Sequence, residues 1–336
     1  MEGAPPAAVA AADQPVAAVD DVAFAGLGIQ AVGYSDEEDR REVHIYVARG
    51  SAATLRGLEV EANGIAVRVH RMAPLRVYPQ QSGRATYRGL FFTRNGKVAC
   101  GSSCAPSSET YSGTLGALVR DANGEIYILS NNHVLAACNH IAPGLPILSP
   151  STGDSHPSLP SPQEIGRHSH IVELRSGDAT LVQEATVDAA VGKATEAVCS
   201  WQGDAAGGYD TPDQIIAPAS GMRVKKWGRT TGLTVGTIQS ELIRVSLPYK
   251  SKHFSALVYF TNVWPIYADG GEDFAVPGDS GSLVVTEDGR FAVGLIFATT
   301  TSGSNYGIMA TITNTLAQLN RQRGLRGLTL LSGYQL

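Results

Sequence analysis

The chain has 336 residues, 43% of them hydrophobic and 17% charged, enough apolar material for one large core or two moderate ones and too much for a disordered polymer. A formal charge of −5, with no basic run longer than Lys225-Lys226, lacks the electrostatic footprint of a nucleic-acid or anionic-membrane binder. No stretch of about 18 apolar residues is present to span a bilayer, and four cysteines in so long a chain do not make a disulfide framework.

Residues 1–20 are rich in Ala and Pro and have neither the cationic start nor the continuous apolar stretch of a secretory leader. A disordered N-terminus on a cytoplasmic protein with reduced thiols is the expectation. Residues 21–80 read as a small α+β module: Val43, Ile45 and Val47 alternate as in a strand, SAATLRGLEV suggests a helical turn, and GIAVRVHRM a further strand. From about residue 95 short β-rich runs recur between turn signals, the pattern of a barrel or sandwich. GTLGALVRD and EIYILS flank an Asn-Gly step that favours a hairpin. The Ser- and Pro-rich stretch 148–163 is a long loop of the kind that is either functional or mobile. Further strands follow at MRVKKWG, TVGTIQSELIRVSL, ALVYFTNVWPI, GSLVVT and FAVGLIFATT. Only residues 311–322 carry helical periodicity, with Leu316 and Leu319 three apart, before a tail at 323–336.

The chemistry concentrates in three places. In AVPGDSGSLVV, Ser280 lies among glycines that let a substrate carbonyl approach the backbone, and Gly278 can take the positive φ that would turn its N–H inward beside that of Ser280. A polar turn leading into a strand accounts for the same residues equally well. His133 ends an apolar strand in YILSNNHVLAAC, and Asp188 sits among small apolar residues in ATVDAAVGKA. A carboxylate there needs a donor to offset its burial. An imidazole Nδ1–H would serve and would also present Nε2 to a serine.

His133, Asp188 and Ser280, in that chain order, resemble the machinery of chymotrypsin/trypsin-like serine proteases, over roughly residues 95–320. PGDSGS matches the nucleophile motif, with Ser282 in place of the usual final glycine, while SNNHV matches its counterpart only at the histidine. GTLGALVRD, LSNNHVLA, KKWGRTTGLTVGTI and FAVPGDSGSLV are most similar to intracellular trypsin-like proteins of bacteria and plant narrow-leaf proteins. The resemblance implies an all-β fold of two antiparallel six-stranded β-barrels, about 95–215 and 216–310, closed by the C-terminal helix. It implies a serine endopeptidase acting on protein or peptide substrates without cofactor: Ser280 as nucleophile, His133 as base and acid, Asp188 as orienter, and the Gly278 and Ser280 amides as oxyanion hole. GRTTG resembles members in which an internal arginine neutralises the aspartate before the nucleophile. An Arg229–Asp279 ion pair is therefore expected, forming the site without zymogen cleavage. By the same resemblance the specificity pocket falls on Phe274, Phe297, Thr299 and Tyr306, which favour a small or apolar side chain.

The alternative function is a latent or silent module of this fold that needs a partner. The catalytic fold does not need residues 21–80, so regulation or homo-oligomerisation is expected there. No metal site is expected: Cys100 and Cys104 of CGSSC would need both His133 and Cys138 as further ligands, and His168 with His170 has no carboxylate or thiolate at ligand spacing. Solvated or buried structural roles fit them better.

Overall fold

Strands are the main regular element of the residues that the structure, a computed structural model, describes: 28–37, 40–48, 65–77, 91–175, 187–204, 207–252, 255–300 and 305–334. The expected disordered N-terminus and the helical turn at 51–60 lie outside them. The all-β expectation holds: the described residues form a closed six-stranded antiparallel barrel, a second curled half-barrel and two small helices.

The closed barrel is built by the second half of the chain. Strands Arg223–Gly228, Gly232–Ile238, Val263–Ala268, Tyr306–Thr311, Ala292–Thr300 and Leu283–Thr286 follow one another around a ring, every pair antiparallel. Closure leaves the ring without an open sheet edge. Val224, Ile238, Ile266, Phe274, Val284, Ile296 and Met309 fill its interior. Phe274 fits because Gly236 and Gly307 face it; a Cβ on either would come within 2.8 Å of the ring.

In the first half, Ala117–Arg120, Ile126–Ser130, Ala190–Ala194, Gln163–Ile171, Pro146–Ser149 and Ser103–Pro106 pair antiparallel in that order. The expected hairpin is present, with Arg120 opposite Ile126 and Ala117 opposite Leu129. Its turn is fixed by Asp121, whose Oδ1 accepts the N–H groups of Asn123 and Glu125, each at 2.9 Å.

Three N-terminal strands, β1 (Ile29–Glu37), β2 (Arg40–Val47) and β3 (Ala66–Arg71), extend the second-half sheet rather than standing apart. β1 pairs antiparallel with strand Glu241–Lys250, β2 pairs antiparallel with β1, and β3 runs parallel to β2. A short strand, β4 (Leu75–Arg76), then pairs antiparallel with the end of Ala292–Thr300. The C-terminal helix, Ile312–Asn320, is capped by Thr311, whose side chain accepts the Asn314 N–H at 3.2 Å, and it buries Ile312, Leu316 and Leu319. Among the described residues no helix is long and apolar enough to cross a membrane.

Candidate active site

Strand register explains why His133 and Asp188 meet. Ser130, at the end of its strand, lies opposite Ala190, so residues just beyond Ser130 come beside those just before Ala190. A single helical turn, Asn132–Leu135, then carries His133 inward. Asn131 Nδ2 donates to the Asp188 carbonyl at 2.6 Å and locks the two segments together. His133 Nδ1 lies 2.5 Å from Asp188 Oδ2, and the His133 backbone N–H donates to Oδ1 at 3.1 Å. The Tyr249 hydroxyl donates to Oδ2 at 2.6 Å. Burial, reinforced by the Asp188 charge, pushes the Tyr249 pKa well up, so this phenol stays a donor. With Nδ1–H directed at the carboxylate, the lone pair of His133 resides on Nε2. His133 is only 1% exposed, and its Nε2 is buried without a hydrogen-bond partner among the described residues.

Ser280 is partly exposed, on the loop that leads into strand Leu283–Thr286. Its carbonyl accepts the Thr114 N–H at 2.8 Å, and the Gly281 N–H donates to the Ile296 carbonyl at 2.8 Å. Gly281 has φ +95°, and a Cβ there would stand 2.1 Å from Ser130 Oγ. The serine loop of the second half is thereby pressed onto the strand end that precedes His133. Gly278, at φ +102°, has the predicted positive φ. Among the described residues no acceptor takes the amide of Gly278 or Ser280. Ser280 and His133 are brought to the same junction but are not hydrogen-bonded to each other.

The expected Arg229–Asp279 pair is replaced by two others. Arg229 Nε donates to Asp154 Oδ2 at 2.8 Å, and Nη2 also meets this carboxylate. Burial opposes ionisation of Asp154, but the bonds and charge of Arg229 outweigh it and hold the carboxyl below its ordinary pKa. Asp279 lies instead against Lys226, Nζ to Oδ2 3.6 Å, with both side chains fully buried. It also accepts the N–H groups of Thr230 (2.8 Å), Thr231 (3.1 Å) and Val276 (3.0 Å) and the Thr231 hydroxyl (2.9 Å). The reason is alternation: Lys226 shares the inward face of its strand with Val224, whereas Arg229 lies past the strand end, beside the 152–154 turn. Burial lowers the Lys226 pKa and Asp279 opposes the shift.

The four residues assigned to the specificity pocket are all buried, in two groups. Phe274 belongs to the barrel interior described above. Phe297 and Tyr306 join a larger apolar cluster with Tyr249 and Phe260, the Phe297 and Phe260 rings 4.7 Å apart. Thr299 bridges the groups, its hydroxyl donating to the Ala275 carbonyl at 2.5 Å.

Three residues bonded to those of the candidate site were not foreseen from the sequence. Lys226 was within reach, since strand alternation places it on the face of Val224. Asp154 lay in the long loop already marked as functional or mobile. Tyr249 follows Val245 and Leu247 in an alternating buried series, which reveals its burial but not its partner. Among the described residues no group of three His, Cys, Asp or Glu converges as a metal site. The four cysteines are buried free thiols, and burial, with His170 adding to it, pushes the His168 pKa down to about 4.

No protein-family model and no curated protein matches the chain. Solved structures do resemble it. Protease A of Thermobifida fusca is 20% identical with a TM-score of 0.45, over 70% of this chain and 100% of that one. A glutamic acid-specific serine protease, described as using a histidine triad in substrate binding, is 17% identical with a TM-score of 0.44, over 70% and 100%. The chymotrypsin of Cellulomonas bogoriensis is 16% identical with a TM-score of 0.43, over 70% and 98%. These likenesses assign neither family nor role; the closed barrel beside a curled half-barrel is read from the strand pairings of this chain itself.

Proposed function

We propose that the protein is a serine endopeptidase. The observation that carries this is the His133–Asp188 pair at 2.5 Å, with the second carboxylate oxygen on the His133 backbone N–H, next to a serine loop whose Gly278 and Ser280 amides meet no acceptor among the described residues. In the first step the Ser280 oxygen attacks the peptide carbonyl carbon and its proton passes to His133 Nε2. The carbonyl electrons move onto the oxygen, where the Gly278 and Ser280 N–H groups receive the negative charge. Collapse breaks the C–N bond as His133 returns the proton to the leaving amine. Water, deprotonated by the same imidazole, then hydrolyses the ester on Ser280. Asp188 fixes the tautomer and steadies the imidazolium, and Tyr249 steadies Asp188. Lys226 holds Asp279, and through it the loop of Gly278 and Ser280, without a newly cut amino terminus.

Phe297 and Tyr306 favour an apolar side chain on the substrate, and buried reduced thiols suit a cytoplasmic setting. The second reading, a latent module, is favoured by one observation: His133 Nε2 is buried and Ser280 is not on it. A fluorophosphonate probe, incubated for hours, is expected to label the chain at Ser280 and to leave Ser280→Ala unlabelled. Absence of label under every condition would favour the silent module.

A further inference from the structure

We infer that β4 is a resident substrate mimic: Leu75–Val77 occupy, within their own chain, the strand edge on which an extended peptide docks for cleavage. The inference rests on the endopeptidase reading and adds to it the shape of the ligand, an extended segment with branched aliphatic side chains at alternate positions.

Strand Ala292–Thr300 is where the two meet. The Ile296 carbonyl on it takes the Gly281 N–H and so positions the residue next to Ser280. Three and four residues further on, Thr299 faces Arg76 and Thr300 faces Leu75. At about 3.3 Å per residue, β4 starts roughly 10–13 Å along the strand from the anchor of the nucleophile loop. The antiparallel register also gives a direction: from Leu75 to Arg76 the chain runs back towards Ile296, and so towards Ser280. On its other side the same end of the strand is taken by Tyr306–Thr311, with Gly307 opposite Thr299. β4 therefore covers the one edge left for a peptide to join by strand addition.

Its side chains fit as a bound peptide's would. Leu75 and Val77 are each 5% exposed, while Arg76 between them faces solvent. Both aliphatic residues enter the cluster that holds Phe297, Tyr306 and Tyr249, the last of which grips Asp188.

What holds β4 there is modest. A two-residue strand has few ladder bonds of its own. Gln30 of β1 supplies the clamp: its Nε2 donates to the Met72 carbonyl at 2.5 Å, and its Oε1 accepts the Leu75 N–H at 3.2 Å. The Met72 N–H donates to the Val47 carbonyl at 3.1 Å, hanging the segment from the N-terminal strands. A contact of few bonds and three buried apolar side chains, Met72, Leu75 and Val77, opens at lower cost than the barrel behind it.

The test uses the full chain and a fluorescein-labelled peptide of residues 72–77, MAPLRV, with MAPDRD as control. In a Ser280→Ala background the parent should show no saturable binding, whereas Leu75→Asp/Val77→Asp should bind MAPLRV and not MAPDRD. With Ser280 intact, both this double variant and the milder Gln30→Ala should be labelled by fluorophosphonate at least tenfold faster than the parent. Circular dichroism reports whether each variant folds, and Gln30→Ala decides if the double variant does not. Equal labelling rates in parent and Gln30→Ala, or no peptide binding by a folded double variant, would overturn the inference and leave the endopeptidase reading standing. Peptide binding without any labelling of Ser280 would keep the resident strand and remove the nucleophile.

Discussion

Two buried aspartates, one ahead of strand Ala190–Ala194 and one ahead of strand Leu283–Thr286, are satisfied in opposite ways. Asp279 is enclosed by groups that do not change state in the proposed reaction: three backbone N–H groups, a threonine hydroxyl and an ammonium carried on a barrel strand. Asp188 leans on groups that bear on chemistry: a histidine ring, that histidine's own backbone N–H and a tyrosine hydroxyl. The first arrangement fixes a loop, and the second fixes the proton position on a base. Burial of a carboxylate alone therefore does not mark an orienting residue; what marks it is a titratable partner whose far nitrogen remains free.

The largest expected effect that would break this contrast is on rate at Asp188. Asp188→Asn directs an amide N–H at Nδ1 and moves the imidazole proton to Nε2, so peptide hydrolysis and fluorophosphonate labelling should fall on the order of 10³–10⁴-fold. The melt should report a smaller loss, about 1–3 kcal/mol. A rate drop under tenfold would place Asp188 with Asp279 as a purely structural acid.

Asp279→Asn should do the reverse, removing the counter-charge of a fully buried lysine and costing about 3–5 kcal/mol in denaturant unfolding. Adding Lys226→Met should restore at least half of that loss, because no unpaired ammonium remains. If the double variant is no better than the single one, the Lys226–Asp279 pair is not what holds the loop. The smallest effect is expected at Tyr249→Phe, which deletes one hydrogen bond to a carboxylate and should cost about 1.5–3 kcal/mol of stability. Its hydrolysis rate should fall by about tenfold or less, since the His133–Asp188 contact survives. A loss as deep as that of Asp188→Asn would make the tyrosine an equal partner in orientation.

Much of this contrast was written in the sequence, though unevenly. His133, Asp188 and Ser280 stood out because each was a reactive residue in a context that burial or flexibility had to explain. Regular strands and turn residues left barrel and sandwich open, and the resemblance implied the barrel; the hairpin at 113–130 followed from an Asn-Gly step. The Arg229 partner did not follow, because adjacent positions on a hairpin differ by which face they present, and GRTTG draws the eye past the strand on which Lys226 points inward. The N-terminal strands read as a module of their own, since composition reveals strands but not the sheet they join. β4 was invisible: two residues carry no periodicity, and its position is set by Gln30, 45 residues earlier in the chain.

A cation on a barrel strand arrives with folding itself, so the support it gives Asp279 can be neither delayed nor withdrawn. In the proposed enzyme, maturation by a cut, a one-way event, would add nothing to this support. Control falls to a tethered competitor, whose local concentration is on the order of millimolar for a short connection. Such a device works as a threshold. Sparse peptides lose to the tether, while a segment crowded against the cleft, or bound to the same protein elsewhere, displaces it and can later be displaced in turn.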